Sequence, residues 1–299
     1  YYVVMRFWDN GPVTNAGAVT WGNGRTGTRG QVTPGNSLVG TQANDNVGLS
    51  TFPLTNGHYV VASAFWKNGA LTGAGAVTWC NGLGGTTGPV TPANSLVGGQ
   101  LGDSIGGNNV TALPNGNYVV ASQHWDNGAV TEAGALTFGN GLGGTVGLVT
   151  PANSLVGTQA NDFVGGFGPV QALQDGNYLM RASNYDNGGL ADAGVVSLGD
   201  GQTGTAGQVS PENSVPGGVI GGGAQLRHAY DATRQRLVVG DPSSNQVTIF
   251  TPTRPYSLAK AGADAPGAVD IAFAEPGALA VDAGGGALFR FVQTAGSSW

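Results

Sequence analysis

The sequence predicts an all-β chain, a β-propeller of about five four-stranded blades, and three observations carry that expectation. One phrase recurs with a period of about 59 residues; each copy holds short β-branched runs; and Gly, Asn and Pro separate the runs. Aligned on Tyr1, Tyr59, Tyr118, Tyr178 and Leu237, the copies are spaced by 58, 59, 60 and 59 residues. The repeats therefore run 1–58, 59–117, 118–177, 178–236 and 237–299, as one propeller over 1–299. Four copies are plain. The fifth keeps two strand-like runs around a turn in 237–252 and then departs.

The third copy shows why each element is expected. Val110 to Leu113 is a short strand, and Pro114-Asn115-Gly116-Asn117 is a strong turn signal. Tyr118 to Ser122 follows as the second strand of a hairpin. A loop carrying Trp125-Asp126-Asn127-Gly128 leads to a third strand at Gly134 to Phe138, ended by Gly139-Asn140-Gly141. A Gly/Thr-rich connection then reaches Ser154 to Gly157, read as the outer edge strand. No helix-period segment of useful length interrupts the pattern. A linear β-solenoid is the runner-up, but its repeats are shorter, about 20–30 residues.

The ends need separate treatment. The first repeat starts at its second strand, so its innermost strand is missing. Near the C-terminus, 277–282 and 287–291 read as a strand, a turn and a strand. Leu279 to Val281 would supply the missing strand and close the ring by pairing the two termini, which removes exposed edges. If the chain is a fragment, those strands begin a further blade. The direct opening on a strand, with no signal peptide and no initiator Met, makes an excised or mature segment the expectation.

Composition narrows the function. Of 299 residues 55 are Gly and 9% are charged, against about 7% and 25% in an average soluble domain. The net charge is −6 and the lysines are only Lys67 and Lys260, so nothing marks a nucleic-acid surface. No apolar run approaches the about 20 residues of a membrane span. The single cysteine, Cys80, stands where other repeats have Gly22, Gly139 and Gly199, and reads as a buried small side chain. The histidines, His58, His124 and His228, fall at different repeat phases, so nothing selects a catalytic constellation.

The repeat resembles the FG-GAP repeat of integrin-type β-propellers. Asp162-Phe163-Val164-Gly165, Asp45-Asn46-Val47-Gly48 and Asp103-Ser104-Ile105-Gly106 stand for its D-x-F-G segment, and Val238 to Pro242 for its G-A-P strand end. Gly17 to Trp21 and Gly75 to Trp79 stand for its G-A-V strand. The WDNG, AGAVTWGNG and TPANSLVG wording also looks like repeats of large bacterial surface and haemagglutinin-like proteins. The resemblance implies a calcium loop between the first two strands. The matching turns, 55–58, 114–117 and 174–177, offer at most Asp175, whereas calcium wants six to eight oxygens. No metal and no cofactor is therefore expected.

Candidate ligand residues lie on the loops that recur. Trp8-Asp9, Trp66-Lys67, Trp125-Asp126 and Tyr185-Asp186 follow the second strands, and Asp45, Asp103 and Asp162 lie in the blade connections. In a propeller these two sets of loops open on one face. Aromatics beside carboxylates suit sugar binding, and equivalent weak sites would gain through multivalency. The competing reading is structural: Asp-Asn-Gly is a turn former and a repeated Trp can plug the gap between blades. Trp21, Trp79 and Phe138, at strand ends, are expected to pack. The function expected is a secreted or cell-surface, adhesin-like binding module for a glycan or surface protein, not an enzyme. The alternative is a purely structural repeat of a large surface protein or filament, touching other copies of itself. An enzyme on a propeller scaffold is the third reading.

Overall fold

The computed structural model describes residues 2–107, 109–166 and 168–251, and the strands Tyr256–Ala259, Asp270–Glu275, Ala278–Asp282 and Leu288–Val292. It is all-β, and the one helical element among the described residues is a short 3-10 turn at Gly223–Gln225. The chain divides into two compact units, Tyr1–Tyr178 with Asp200–Gln208, and Leu179–Gly199 with Val209–Trp299.

In the first unit the third repeat follows the expected order. Asn109–Ala112 pairs antiparallel with Tyr118–Ser122, placing Tyr118 opposite Ala112. Tyr118–Ser122 pairs on its other side with Ala135–Gly139, and that strand pairs with Ser154–Val156. Gly116, at φ +92°, makes the hairpin turn, which the Asn115 side chain closes by accepting the Asn117 N–H at 3.1 Å. All five residues of Tyr118–Ser122 are buried, as a strand covered on both faces requires.

Ser154–Val156, expected as an outer edge, is not one. Gly207–Gln208 runs parallel to it, with Leu155 beside Gly207 and Val156 beside Gln208. The second sheet gains Gly147–Leu148 beside Ser95–Val97, and the first gains Gly88–Pro89 beside Ser37–Val39. Each of these sheets is thus finished by two residues of the next repeat, which covers an edge that would otherwise bind stray strands.

Buried polar chains hold the outer strands. Thr20–Ser37, Thr78–Ser95 and Thr137–Ser154 are hydroxyl pairs 2.7 Å apart. Each serine also donates to the neighbouring Asn carbonyl oxygen, at Asn36, Asn94 and Asn153, so each threonine must donate to its serine. This accounts for the N-S-L-V wording of the repeat. Trp21 and Trp79 bind forward, their indole N–H groups donating at 2.9 Å to the carbonyls of Gly82 and Gly141, about one repeat later. Gly98 shows how tightly segments meet. A methyl group there would collide with the Ala74 carbonyl oxygen and lie 2.7 Å from Asp103 Cβ.

In the second unit Val195–Gly199 pairs with Ser214–Pro216, again with a 2.7 Å hydroxyl pair, Ser197 to Ser214. The two strand-like runs expected in the fifth repeat are present as Arg236–Asp241 and Gln246–Phe250, inside a four-stranded sheet with Arg227–Asp231 and Tyr256–Ala259. Both strands expected near the C-terminus are present, with a further strand beside them, while the turn between them lies outside the described residues. Ala278–Asp282 lies between Asp270–Glu275 and Leu288–Val292. Both sides of that strand are taken, so Leu279 to Val281 do not supply the missing strand of the first repeat. Tyr2–Met5 pairs with Ala18–Trp21 alone among the described residues.

Candidate ligand-binding face

The loop after each second strand is built the same way, and the WDNG wording is its blueprint. The Asp closes the loop: Asp9, Asp126 and Asp186 each accept the backbone N–H six residues on, at 2.7–2.8 Å. The residue receiving that bond, Asn15, Glu132 or Asp192, has φ near +50°. The Asn staples the loop to its own outer strand. Asn10, Asn68, Asn127 and Asn187 donate to the carbonyls of Gly40, Gly98, Gly157 and Gly217.

The aromatic residue goes inward. Trp66, Trp125 and Tyr185 are buried, and Trp8 is half-buried. Trp66 packs with Val19, Leu38, Tyr59 and Val61; Trp125 packs with Leu96, Tyr118 and Val120. The three buried rings therefore offer no face to a ligand in this conformation, and the packing alternative describes them.

The carboxylates in the repeat connections are also turned to the main chain. Asp45 Oδ2 accepts from Thr41 and Gln42 at 2.9 Å, and its Oδ1 from Lys67 N at 3.2 Å. Asp103 does the same with Gly99, Gln100 and Asp126, and Asp162 with Thr158 and Gln159. All three are buried. Burial pushes the Asp45 and Asp103 carboxyls up, while the backbone N–H groups act in the opposite sense. Asp103 and Asp126 are brought together, but through a backbone N–H rather than as two carboxylates facing one ligand.

The position just before each buried or half-buried loop aromatic, which sequence reasoning passed over, does not recur in type; it is exposed in the first two repeats and half-buried in the next two. It is Phe7, Phe65, His124 and Asn184 in the four repeats. Phe7 is 66% and Phe65 46% exposed. Arg6 lies over both rings, its Cζ 5.1 Å from the Phe7 centroid and 5.4 Å from that of Phe65. In the third repeat His124 Nδ1 lies 2.6 Å from Glu132 Oε2 and its Nε2 lies 2.8 Å from Gln123 Nε2. An amide nitrogen only donates, so Nε2 accepts from Gln123 and the Nδ1–H goes to Glu132. The signal that could have found these residues is that contrast: scaffold positions repeat, and the one between them varies.

His58 and Cys80 are absorbed by the fold, whereas the buried Nδ1 of His228 has no hydrogen-bond partner among the described residues. His58 Nδ1 accepts the Gly82 N–H at 3.1 Å, as the Asn117 side chain does for Gly141. His228 is held below its usual range by burial and by Arg181. Cys80 is buried, and burial pushes its thiol up to about 12. Among the described residues no group of three or more His, Cys, Asp or Glu could hold a metal ion, and no helix is long and apolar enough to cross a membrane.

Sheets and loops together define a protein of tandem β-sheet repeats, clamped to one another by carboxylates and amides aimed at backbone. The chain belongs to the family described as a repeat of unknown function, DUF5650, whose profile matches residues 1–49, 53–107, 112–166 and 172–220. No curated protein matches it. Among solved structures it is similar to selenomethionine-substituted virginiamycin B lyase from Staphylococcus aureus, at 8% identity and a TM-score of 0.36. That likeness covers 93% of this chain and 78% of the other, and carries no weight for activity.

Proposed function

We propose that the protein is a secreted or cell-surface, adhesin-like binding module, built as a β-propeller of about five blades and binding a glycan or surface protein through its loop face. The propeller reading is supported by repeated four- and five-stranded sheets whose order runs inner hairpin, third strand, outer strand. The likeness to FG-GAP repeats belongs to the same proposal. Surface placement draws its support from the low charge content and the single buried cysteine.

One observation carries the binding reading. A scaffold of recurring loop Asp and Asn residues bound to backbone displays non-equivalent residues at one loop position, the exposed Phe7 and Phe65 and the half-buried His124. Aromatic and Arg side chains held out in this way are what binding hot spots are made of. Because the displayed residues differ, one ligand spanning unlike loops replaces a ring of identical sugar sites. The test is a glycan array together with capture of cell-surface proteins, using wild type and a Phe65→Ala/His124→Ala variant. Binding lost in the variant, with its melting temperature kept, is expected. No binding by wild type to any glycan or surface protein overturns the reading.

A structural role in a surface protein or filament is the second reading, favoured by how completely the Asp and Asn residues of the loops are spent on backbone groups. Assembly of the purified chain through those loops, blocked by the same double variant, would support it.

A further inference from the structure

Among the described residues of the first two repeats, Arg6 is the one cation held against exposed aromatic faces. Its guanidinium is shared by Phe7 and Phe65, at 5.1 and 5.4 Å. It makes no hydrogen bond or ion pair with any described residue, and its Nε is buried without a partner. The contrast with other arginines is plain. Arg181 and Arg227 spend their donors on the carbonyls of 223–226, and Arg234 pairs with Asp231 at 3.0 Å.

A guanidinium held at cation–π distance from two rings, with no hydrogen-bond partner among the described residues, is a receptor waiting for an acceptor of matching shape. A carboxylate is that acceptor, since two parallel N–H···O bonds can form and both are charge-assisted. The two ring contacts limit the entropy lost when those bonds form, and the weak hydration of a guanidinium lowers the desolvation cost. The neighbouring groups indicate what carries the carboxylate. Phe7 and Phe65 present phenyl surface beside the fork, which suits the C–H face of a pyranose ring. Three side chains make a sugar-sized contact; a stable protein epitope needs about 800 Å² from each partner.

We propose that Arg6, Phe7 and Phe65 form a subsite for an acidic monosaccharide unit, whose carboxylate accepts from the Arg6 guanidinium while its ring lies on an exposed phenyl face. The inference rests on the loop-face binding reading and narrows it to glycans bearing a uronate-type residue. Asp9, two residues beyond Phe7, turns its Oδ1 to the Asn15 N–H at 2.7 Å and forms no ion pair with Arg6.

The test is titration of the full chain with methyl glucuronide and with methyl glucoside, followed by NMR. The glucuronide is expected to saturate in the millimolar range, the ordinary strength of a single small contact, and the neutral glycoside to bind at least roughly ten-fold more weakly. Arg6→Gln should abolish the glucuronide signal and Arg6→Lys should weaken it, because an ammonium is no planar fork. Phe65→Ala should weaken it too. The Arg6 side chain has no hydrogen-bonded partner to lose, so an unchanged melting temperature checks that the variants are folded. Equal affinity for the two glycosides, or glucuronide binding that survives Arg6→Gln, overturns the proposal. So does an N-acetyl aspartate amide that binds as well as the glucuronide, since the carboxylate alone would then be recognised. If the glucuronide fails while array or surface-protein binding depends on Phe65 and His124, the acidic-sugar subsite falls and the loop-face reading stands. If every arm fails, both fall.

Discussion

Asp241 Oδ2 accepts the backbone N–H of Gly218 at 2.9 Å, a bond that in earlier repeats comes from a carboxylate four residues beyond the donor. There Asp45 serves Thr41, Asp103 serves Gly99 and Asp162 serves Thr158. The fourth repeat has Gly222 at the corresponding place, and the carboxylate arrives instead from the strand Arg236–Asp241. The same turn N–H is thus bound by a carboxylate in every one of the four repeats, although the acceptor has moved along the chain in the fourth.

That accounting sets the first prediction. Asp103→Ala would leave the N–H groups of Gly99, Gln100 and Asp126 without their acceptor. A loss of about 3–5 kcal/mol in unfolding free energy is expected, read from urea denaturation. Asp9→Ala, in an exposed loop with one such bond, should shift the midpoint much less.

The pH dependence follows from the raised carboxyls of Asp45 and Asp103. A group whose folded pKa lies above its unfolded value binds protons more readily in the folded state. Its contribution to stability is full below the unfolded carboxylate value, about 3.9, and is lost as pH rises through the raised folded value. Wild type should therefore gain stability relative to Asp103→Asn as pH falls from neutral toward that range. Paired urea titrations at several pH values check it, and a difference that shrinks on acidification would contradict the direction.

Close packing of backbone predicts a sharp contrast between two glycines. Gly98→Ala meets the Ala74 carbonyl and Asp103 Cβ, and should cost about 3 kcal/mol or more, in the range of severe overpacking. Gly84→Ala meets nothing within 4 Å and should be neutral within about 0.5 kcal/mol. Thermal melts of the two variants decide it.

Cys80 should be silent. Buried, with its thiol pushed up to about 12, it exposes almost no thiolate at neutral pH. A chromogenic disulfide reagent at pH 8 should leave the native protein unlabelled and react with one thiol per chain in urea.

Much of the fold was legible because strands with side chains on two packed faces write themselves as runs such as Tyr118-Val119-Val120-Ala121-Ser122. The added parallel strands were not. Gly88–Pro89, Gly147–Leu148 and Gly207–Gln208 are two residues long and hold their place by backbone bonds, so no side-chain pattern announces them. The candidate face was half legible. WDNG pointed to the right loop, but Asp126 looks inward to the Glu132 N–H and Trp125 is core. Recurrence marked what the scaffold needs at every copy. The exposed Phe65 and half-buried His124 stand out only once burial is known, because a residue free to vary leaves no repeat to read.

The borrowed strands also bear on how such a chain can change length. Ser37–Val39, Ser95–Val97 and Ser154–Val156 are each finished by residues of the following copy, so these three sheets run across the boundary between copies. Insertion or deletion of one whole period within the first three copies returns each of those sheets a donor of the same kind. Unequal crossing-over within the gene can therefore lengthen or shorten the array without first finding a safe junction.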